Sequence, residues 1–489
     1  MRREFVRMRF MSAALVAIAT VAVTVSTAFG SGIADATPST GPSAGATPPQ
    51  RQVPVRPALP FPIPPRVPEF DRGFYLPARA AYADKAPGEI IAARRVNLAA
   101  LSVFPLNVDS WQISYRSTNT RGEAIPAVAT LIKPRGPVRP GPSKLVSWQS
   151  AEDSTANYCA PSYALQQASI PGQLTGSIDS TYELLQITSL VAAGWSVVIP
   201  DHQGPESAFA AGPLAGRITL DGIRGARDFA PLRLKKDLRV GMMGYSGGAI
   251  ATGWAAELHP RYAPELPIVG VAEGGVPADI SALVDLANGN AASGLIMAGV
   301  IGVSREYPDL DAFLRKHINP LGRALLTAKN PLCLAYQAAL APFVNIKGLI
   351  NLPGDPLGYP TPRRVLGDLK MGRTVPTAPM YVYQSNPDWI APVGPVNGLV
   401  KKYCADPAAR VQYTRDHFSE HITLAVEGFA PATVWMRDRL NGKPVASGCS
   451  TKDVGSMALD PKTWPTFVGL VGNNLAALIG QQLGNPPRG

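Results

Sequence analysis

The segment "LRVGMMGYSGGAIATGWAAELHP", residues 238–260, constrains the fold more than any other part of the chain. An apolar strand runs into glycines flanking one serine, and an alanine-rich helix follows. Gly244-Tyr245-Ser246-Gly247-Gly248 fits G-x-S-x-G. In a strand–turn–helix setting this pattern is a nucleophile elbow, in which the serine takes a strained backbone angle that tolerates no bulky neighbours. The following helix then aims its N-terminal N–H groups at negative charge developing beside the serine. The pentapeptide alone means little in a chain with 46 glycines. Gly41-Pro42-Ser43-Ala44-Gly45 also matches, inside a proline-rich stretch with no strand before it and no helix after it.

An elbow needs a parallel sheet around it, and the flanking sequence supplies one. "SWQISYRSTNTRGEAIPAVATLIKP" alternates as strand, turn and strand, and "KLVSWQS" (144–150) is a short buried strand. "YELLQITSLVAAG" reads as a helix ending at Gly194, and "WSVVIPDHQG" as a strand ending in a polar loop. Further strands fall at "PIVGVAEGG", "APMYVYQSNPD" and "RVQYTRDH", and "ITLAVEGFAPATVWMRDRLNG" reads as one helix. Strands alternating with helices predict a mostly parallel sheet covered on both faces. Residues from about 279 to 375 break the alternation with apolar helix-like runs, predicting a helical insertion over the sheet. No internal repeat is present.

A serine hydroxyl needs a base, and the chain has five histidines. His202 ends a strand ahead of the nucleophile, His259 closes the helix after it, and His317 falls in the helical insertion. His417 and His421 remain, in "DHFSEH" (416–421). His417-Phe418-Ser419-Glu420-His421 is also an H-x-x-E-H string, a spacing that puts two imidazoles on one zinc when it lies on a helix. The preceding "RVQYTR" reads as a strand, so the string straddles a loop, and a metal site is not expected. His421, at the junction of strand and helix, is the better base. Asp388 in "VYQSNPDWIAP" follows an apolar strand and can hold the imidazole tautomer, although an Asp after Asn386-Pro387 also suits a plain turn. The order Ser246, Asp388, His421 matches that of α/β-hydrolases. The oxyanion would meet the N–H of Gly247 and that of Asp153, aided by the Asp153 carboxyl group, in the "WQSAEDST" loop; a surface loop is the competing reading.

"MRREFVRMRF" and the apolar run after it form a basic and then a hydrophobic region, with a small-x-small cleavage site at Ala34-Asp35-Ala36. A signal peptide over 1–36 is expected, with an uncleaved anchor as the alternative because Met11–Phe29 is long for a leader. Residues 37–69 read as a proline-rich tether, 70–450 as the folded domain, and 451–489 as a tail with one apolar helix that packs on the domain. The net charge of +11 favours anionic envelope or lipid surfaces. No basic cluster interleaved with aromatics points to nucleic acid. Cys159, Cys333, Cys404 and Cys449 suit an oxidising compartment, and no C-x-x-C pair suggests zinc or redox chemistry. Two disulfides are expected, and the sequence allows three pairings.

Several ordered motifs then resemble the secretory lipase family, typified by lipase A of Candida antarctica. They are "EDST…YCAPSYALQ" (152–166), "PDHQG" (200–204), "LDGIR" (220–224), "GYSGGA…YAPELPIVG" (244–270), "NPDWIAP" (386–392) and "EHITLAVEG" (420–428). The similarity covers about residues 70 to 450. It implies an α/β-hydrolase core with a helical cap acting on lipid esters, catalytic positions at Ser246, Asp388 and His421, and an oxyanion position at Asp153. It also implies the pairings Cys159–Cys333 and Cys404–Cys449. Triacylglycerol as substrate comes from the resemblance alone. The expectation is an exported serine ester hydrolase with no metal or organic cofactor and no obligate protein partner, working at a lipid–water interface or cell-envelope surface. An acyltransferase on the same triad and a non-catalytic lipid-binding module of the envelope are the rival readings.

Overall fold

Seven parallel strands form the floor on which the serine, aspartate and histidine stand. The computed structural model describes residues 53–136 and 140–484. The expected leader, residues 37–52 of the tether and the second G-x-S-x-G lie outside the described residues. Eleven strands form the main sheet: β1 (Val55–Arg56), β2 (Ile90–Arg95), β3 (Asp109–Thr118), β4 (Ala124–Lys133), β5 (Lys144–Gln149), β6 (Ser196–Pro200), β7 (Arg239–Tyr245), β8 (Ile268–Gly274), β9 (Met380–Ser385), β10 (Arg410–Asp416) and β11 (Gly448–Val454). Their order is β1-β2-β3-β4-β6-β5-β7-β8-β9-β10-β11. β2, β3, β4 and β6 pair antiparallel, and every pair from β6 to β11 is parallel.

Both faces of this sheet are buried, as parallel sheets require. Along β7, Val240 and Met242 enter one core with the helices Gly212–Asp228 and Gly247–Tyr262. Met243 and Tyr245 alternate into a second core with the helices Leu184–Ala192 and Phe429–Leu440. Between β8 and its sheet neighbour β9 the chain leaves to build the insertion, whose main helices are Ile280–Ala287, Ser293–Glu306, Pro308–His317, Pro320–Lys329, Leu334–Ala339 and Pro360–Leu369. It therefore departs from and returns to adjacent strands.

Three expectations need correction. The tether does not run to residue 69, because Val55 and Arg56 pair with Ala93 and Arg94 as an edge strand. Its two residues sit between Pro54 and Pro57, and prolines confine a strand to the sheet edge. The domain does not end at 450, because β11 continues to Val454 along β10. The helix expected after His421 is two helices, His421–Glu427 and Phe429–Leu440, with Gly428 between them.

The tail helix Trp464–Leu478 packs on Leu184–Ala192, with Asn474 accepting from the Thr188 hydroxyl at 2.6 Å and Ala477 buried. Trp464, Phe467 and Val468 stay exposed. Among the described residues no helix is long and apolar enough to cross a membrane.

Candidate active site

Ser246 caps the helix that follows β7 with φ 52° and ψ −119°. Its N–H donates to the carbonyl of Gly274 on β8 at 2.9 Å, which fixes the turn to the sheet. The residue after it must be glycine: a Cβ at position 247 would lie 1.6 Å from the Asp153 carboxylate oxygen Oδ1. The nucleophile turn and the loop after β5 are thus pressed together. Among the described residues the Gly247 and Asp153 N–H groups make no backbone–backbone hydrogen bond, and Asp153 has a positive φ of 35°. The Gly247 N–H, at the start of a sixteen-residue helix directly after Ser246, is placed to meet a developing oxyanion, and the Asp153 loop adjoins the same turn.

His421 Nε2 lies 2.8 Å from Ser246 Oγ and Nδ1 lies 2.7 Å from Asp388 Oδ2. The pair is sealed from water, with His421 2% exposed. Asp388 Oδ1 accepts from the N–H groups of Ile390 and Ala391 at 2.9 and 2.7 Å, and Oδ2 also accepts from Gln384 Nε2 at 3.0 Å. The histidine loop hangs on the buried Asp416, which accepts from the N–H groups of Phe418, Ser419 and Met457. Tyr245 donates its hydroxyl to the His421 carbonyl at 2.6 Å.

The H-x-x-E-H string serves separate tasks. Glu420 caps the helix at His421, accepting from Ile422 and Thr423 N–H, and holds the Trp389 indole N–H at 2.7 Å. His417 faces the surface and reaches Asp453 and Asn386.

The loop 150–155 rests on buried acids. Glu183 accepts from the Ala151 N–H and the Trp148 indole, and His202 Nε2 lies 2.7 Å from the Ser150 carbonyl. Burial pushes Asp153, Asp179 and Asp201 up to about 7 and Glu183 up to about 8, because a low dielectric penalises the charged form. An acid whose pKa is raised on folding contributes stability that is complete below its unfolded pKa, near 4, and that is lost as pH rises through the folded value. Melting temperature is therefore expected to fall between pH 6.5 and 9, by about 3 °C or more, in a thermal scan. A melting temperature flat or rising over that window would show these acids to be ionised in the native chain.

Above Ser246 the helical insertion encloses a cavity of about 140 Å³. Ser246, Gly247 and Asp153 line it at the sheet, and Leu295, Phe313 and Leu369 are among the side chains lining it from the insertion. Its other polar contributor is Lys347, whose ammonium group is bound to Asp285 and Asp355. A hydroxyl with its base at hydrogen-bond distance, facing an apolar cleft, can attack an acyl carbonyl carried by a hydrocarbon chain.

The chain is similar to known proteins over most of its length. A model of the secretory lipase family matches residues 169–448. Lipase A of Arthroderma benhamiae is 35% identical over 86% of this chain and 89% of its own. The chain belongs to the secretory lipase family. A secreted triacylglycerol lipase of Malassezia furfur is 31% identical over 84% of this chain and 88% of its own. A probable inactive lipase of Mycobacterium tuberculosis is 35% identical over 80% and 84%. The solved structure of Candida antarctica lipase A superposes with a TM-score of 0.76 at 30% identity, over 87% of this chain and all of that one. The fold is that of an α/β-hydrolase.

In this secretory lipase the disulfides Cys159–Cys333 and Cys404–Cys449 join the insertion to the segment after the 150–155 loop, and the end of the helix Val393–Tyr403 to β11. Gln384, Tyr245 and Glu420, which orient the acid and the base, carry no motif that marks them for that role in the sequence. His202, a strand end in the sequence, meets the Ser150 carbonyl. The signal for His202 was local, since it directly follows Asp201 in the strand–loop junction that supports the elbow's neighbour.

Proposed function

We propose that the lipase is a secreted enzyme that cleaves lipid esters, triacylglycerol among them, by a Ser246–His421–Asp388 triad and an acyl-enzyme. The observation that carries this reading is the pair of 2.8 and 2.7 Å contacts joining Ser246, His421 and Asp388 at the floor of an apolar cavity. His421 Nε2 takes the proton of Ser246 Oγ as that oxygen bonds to the ester carbonyl carbon. The carbonyl oxygen becomes an oxyanion facing the N–H groups of Gly247 and Asp153. Asp388 keeps the Nδ1 proton in place and stabilises the imidazolium. His421 then hands its proton to the departing alcohol, leaving an ester on Ser246. Water enters, His421 removes its proton, and the reverse sequence releases the fatty acid and restores the serine. Relatives named as secreted lipases, together with two disulfides, support an oxidising, extracytoplasmic site of action.

The test is hydrolysis of p-nitrophenyl esters from acetyl to palmitoyl, and of emulsified triacylglycerol, by the purified chain. Turnover that favours medium or long acyl chains, with free fatty acid as product, is expected. Release of p-nitrophenol only in the presence of an alcohol acceptor would replace hydrolysis by acyl transfer. A folded chain inert on every ester would leave a lipid-binding protein.

A further inference from the structure

The helical insertion makes polar contact with the loop that carries Asp153, and that contact converges on one residue. Thr155, two positions beyond Asp153, is buried. Its carbonyl accepts from Arg305 Nη1 at 2.7 Å, and its hydroxyl accepts from Gln337 Nε2 at 2.6 Å and lies 3.1 Å from the carbonyls of Lys329 and Asn330. Arg305, Lys329, Asn330 and Gln337 all belong to the insertion. The same guanidinium donates to the carbonyls of Glu206 and Ser207 at 2.6 and 3.1 Å and to the Asn330 side chain at 2.6 Å. Its acceptors among the described residues are neutral oxygens, and burial lowers its pKa against the opposing pull of the Glu206 carboxylate. Placing a cation there is costly, and the geometry it secures is specific: one fork of donors ties two core loops to two insertion segments. The helix carrying Arg305 also lies directly on the loop at Phe209, since a Cβ on Gly302 would lie 2.3 Å from the Phe209 nitrogen.

We infer that Arg305 is a positioning residue for the oxyanion site, acting through Thr155 to hold the Asp153 N–H at its angle to Ser246. This rests on the proposed use of the Asp153 N–H in ester hydrolysis. The insertion then does more than cover the acyl chain. Its Arg305 end sets catalytic geometry, and the segment 329–337 holds the same loop through the Thr155 hydroxyl.

Three variants of the full chain test this: Arg305→Met, Arg305→Lys and Thr155→Val, the last keeping the carbonyl that Arg305 holds and removing the hydroxyl that Gln337 holds, so that Thr155 is loosened from the loop side in case Arg305→Met does not fold. Each is assayed for kcat and KM on p-nitrophenyl butyrate. Each is also assayed for inhibition by an alkyl trifluoromethyl ketone and by the same ketone without fluorine. Ser246 adds to the fluorinated carbonyl, its proton passes to His421, and the resulting oxyanion needs the Asp153 N–H; the plain ketone reports cavity binding.

Arg305→Met is expected to lower kcat by about 10- to 100-fold with KM within about threefold. It is expected to weaken the fluorinated ketone by a similar factor and to leave the plain ketone unchanged. Arg305→Lys is expected to recover part of the loss, and Thr155→Val to move in the same direction by a smaller factor. Equal weakening of both ketones, or an unchanged kcat in folded Arg305→Met and Thr155→Val, would overturn the inference while leaving the triad standing. Full turnover in Ser246→Ala would overturn the functional reading and this inference together.

Discussion

Ser246→Ala is expected to lower kcat for p-nitrophenyl esters by about 10⁵- to 10⁶-fold, with a melting temperature within a degree or two of the parent chain. The structure separates chemistry from folding at this residue. Its backbone N–H holds the turn to Gly274, and the same N–H remains in alanine. Its hydroxyl reaches only His421 Nε2 among the hydrogen bonds of the described residues. Alanine accepts the same φ of 52° at no greater backbone cost than serine. Residual catalysis of about 10³-fold over water is expected to survive, because the oxyanion N–H groups and the cavity remain. Steady-state rates beside a thermal scan measure both quantities. A folded variant with more than about 1% of parental turnover would remove Ser246 as nucleophile.

The second large effect comes from a change of one atom. Asp388→Asn keeps the shape of the side chain and one oxygen for the N–H groups of Ile390 and Ala391. The new amide NH₂ then faces Gln384 Nε2 and His421 Nδ1, where the carboxylate accepted both. Two donors now meet at Gln384. At His421 the amide favours the tautomer with a bare Nδ1, which puts the proton on Nε2, pointing at Ser246. The base cannot accept the serine proton in that state, and kcat is expected to fall by about 10⁴-fold. Because the obstacle is a proton on the wrong nitrogen, the loss should persist up to high pH. Recovery of more than a tenth of parental kcat at pH 7 would show that Asp388 does not set the tautomer.

What the sequence made readable was local. The elbow is one strand, one turn and one helix in 23 residues, and Asp388 and His421 lie in the short loops after Ser385 and Asp416, the ends of strands that alternation reveals. What it hid falls into two kinds. Some residues have a local role that competes with a better-known pattern. Glu420 looks like part of a metal string, whereas it is a helix cap paired with Thr423. Proline around Val55 and Arg56 hides a strand, since two residues between prolines show no alternation to detect. Other contacts have no local signature at all. Arg305 and Thr155 lie 150 positions apart, and nothing near either residue announces the other. The buried acids under the 150–155 loop were invisible for the same reason: Asp179, Glu183 and Asp201 read as ordinary charges until the fold removes their water.

The insertion leaves the sheet at β8 and returns at its neighbour β9. In evolutionary terms this is a place where the chain can exchange one segment for another without disturbing strand register. Such an arrangement lets substrate range drift while the hydrolytic machinery stays fixed. Here that freedom has a boundary inside the insertion itself. A graft joined after residue 306, with Gln337 and the Cys333 bridge retained, inherits a working site and a new acyl cavity. A graft that replaces everything from 279 to 375 must rediscover a donor for Thr155 as well as a shape for its lipid.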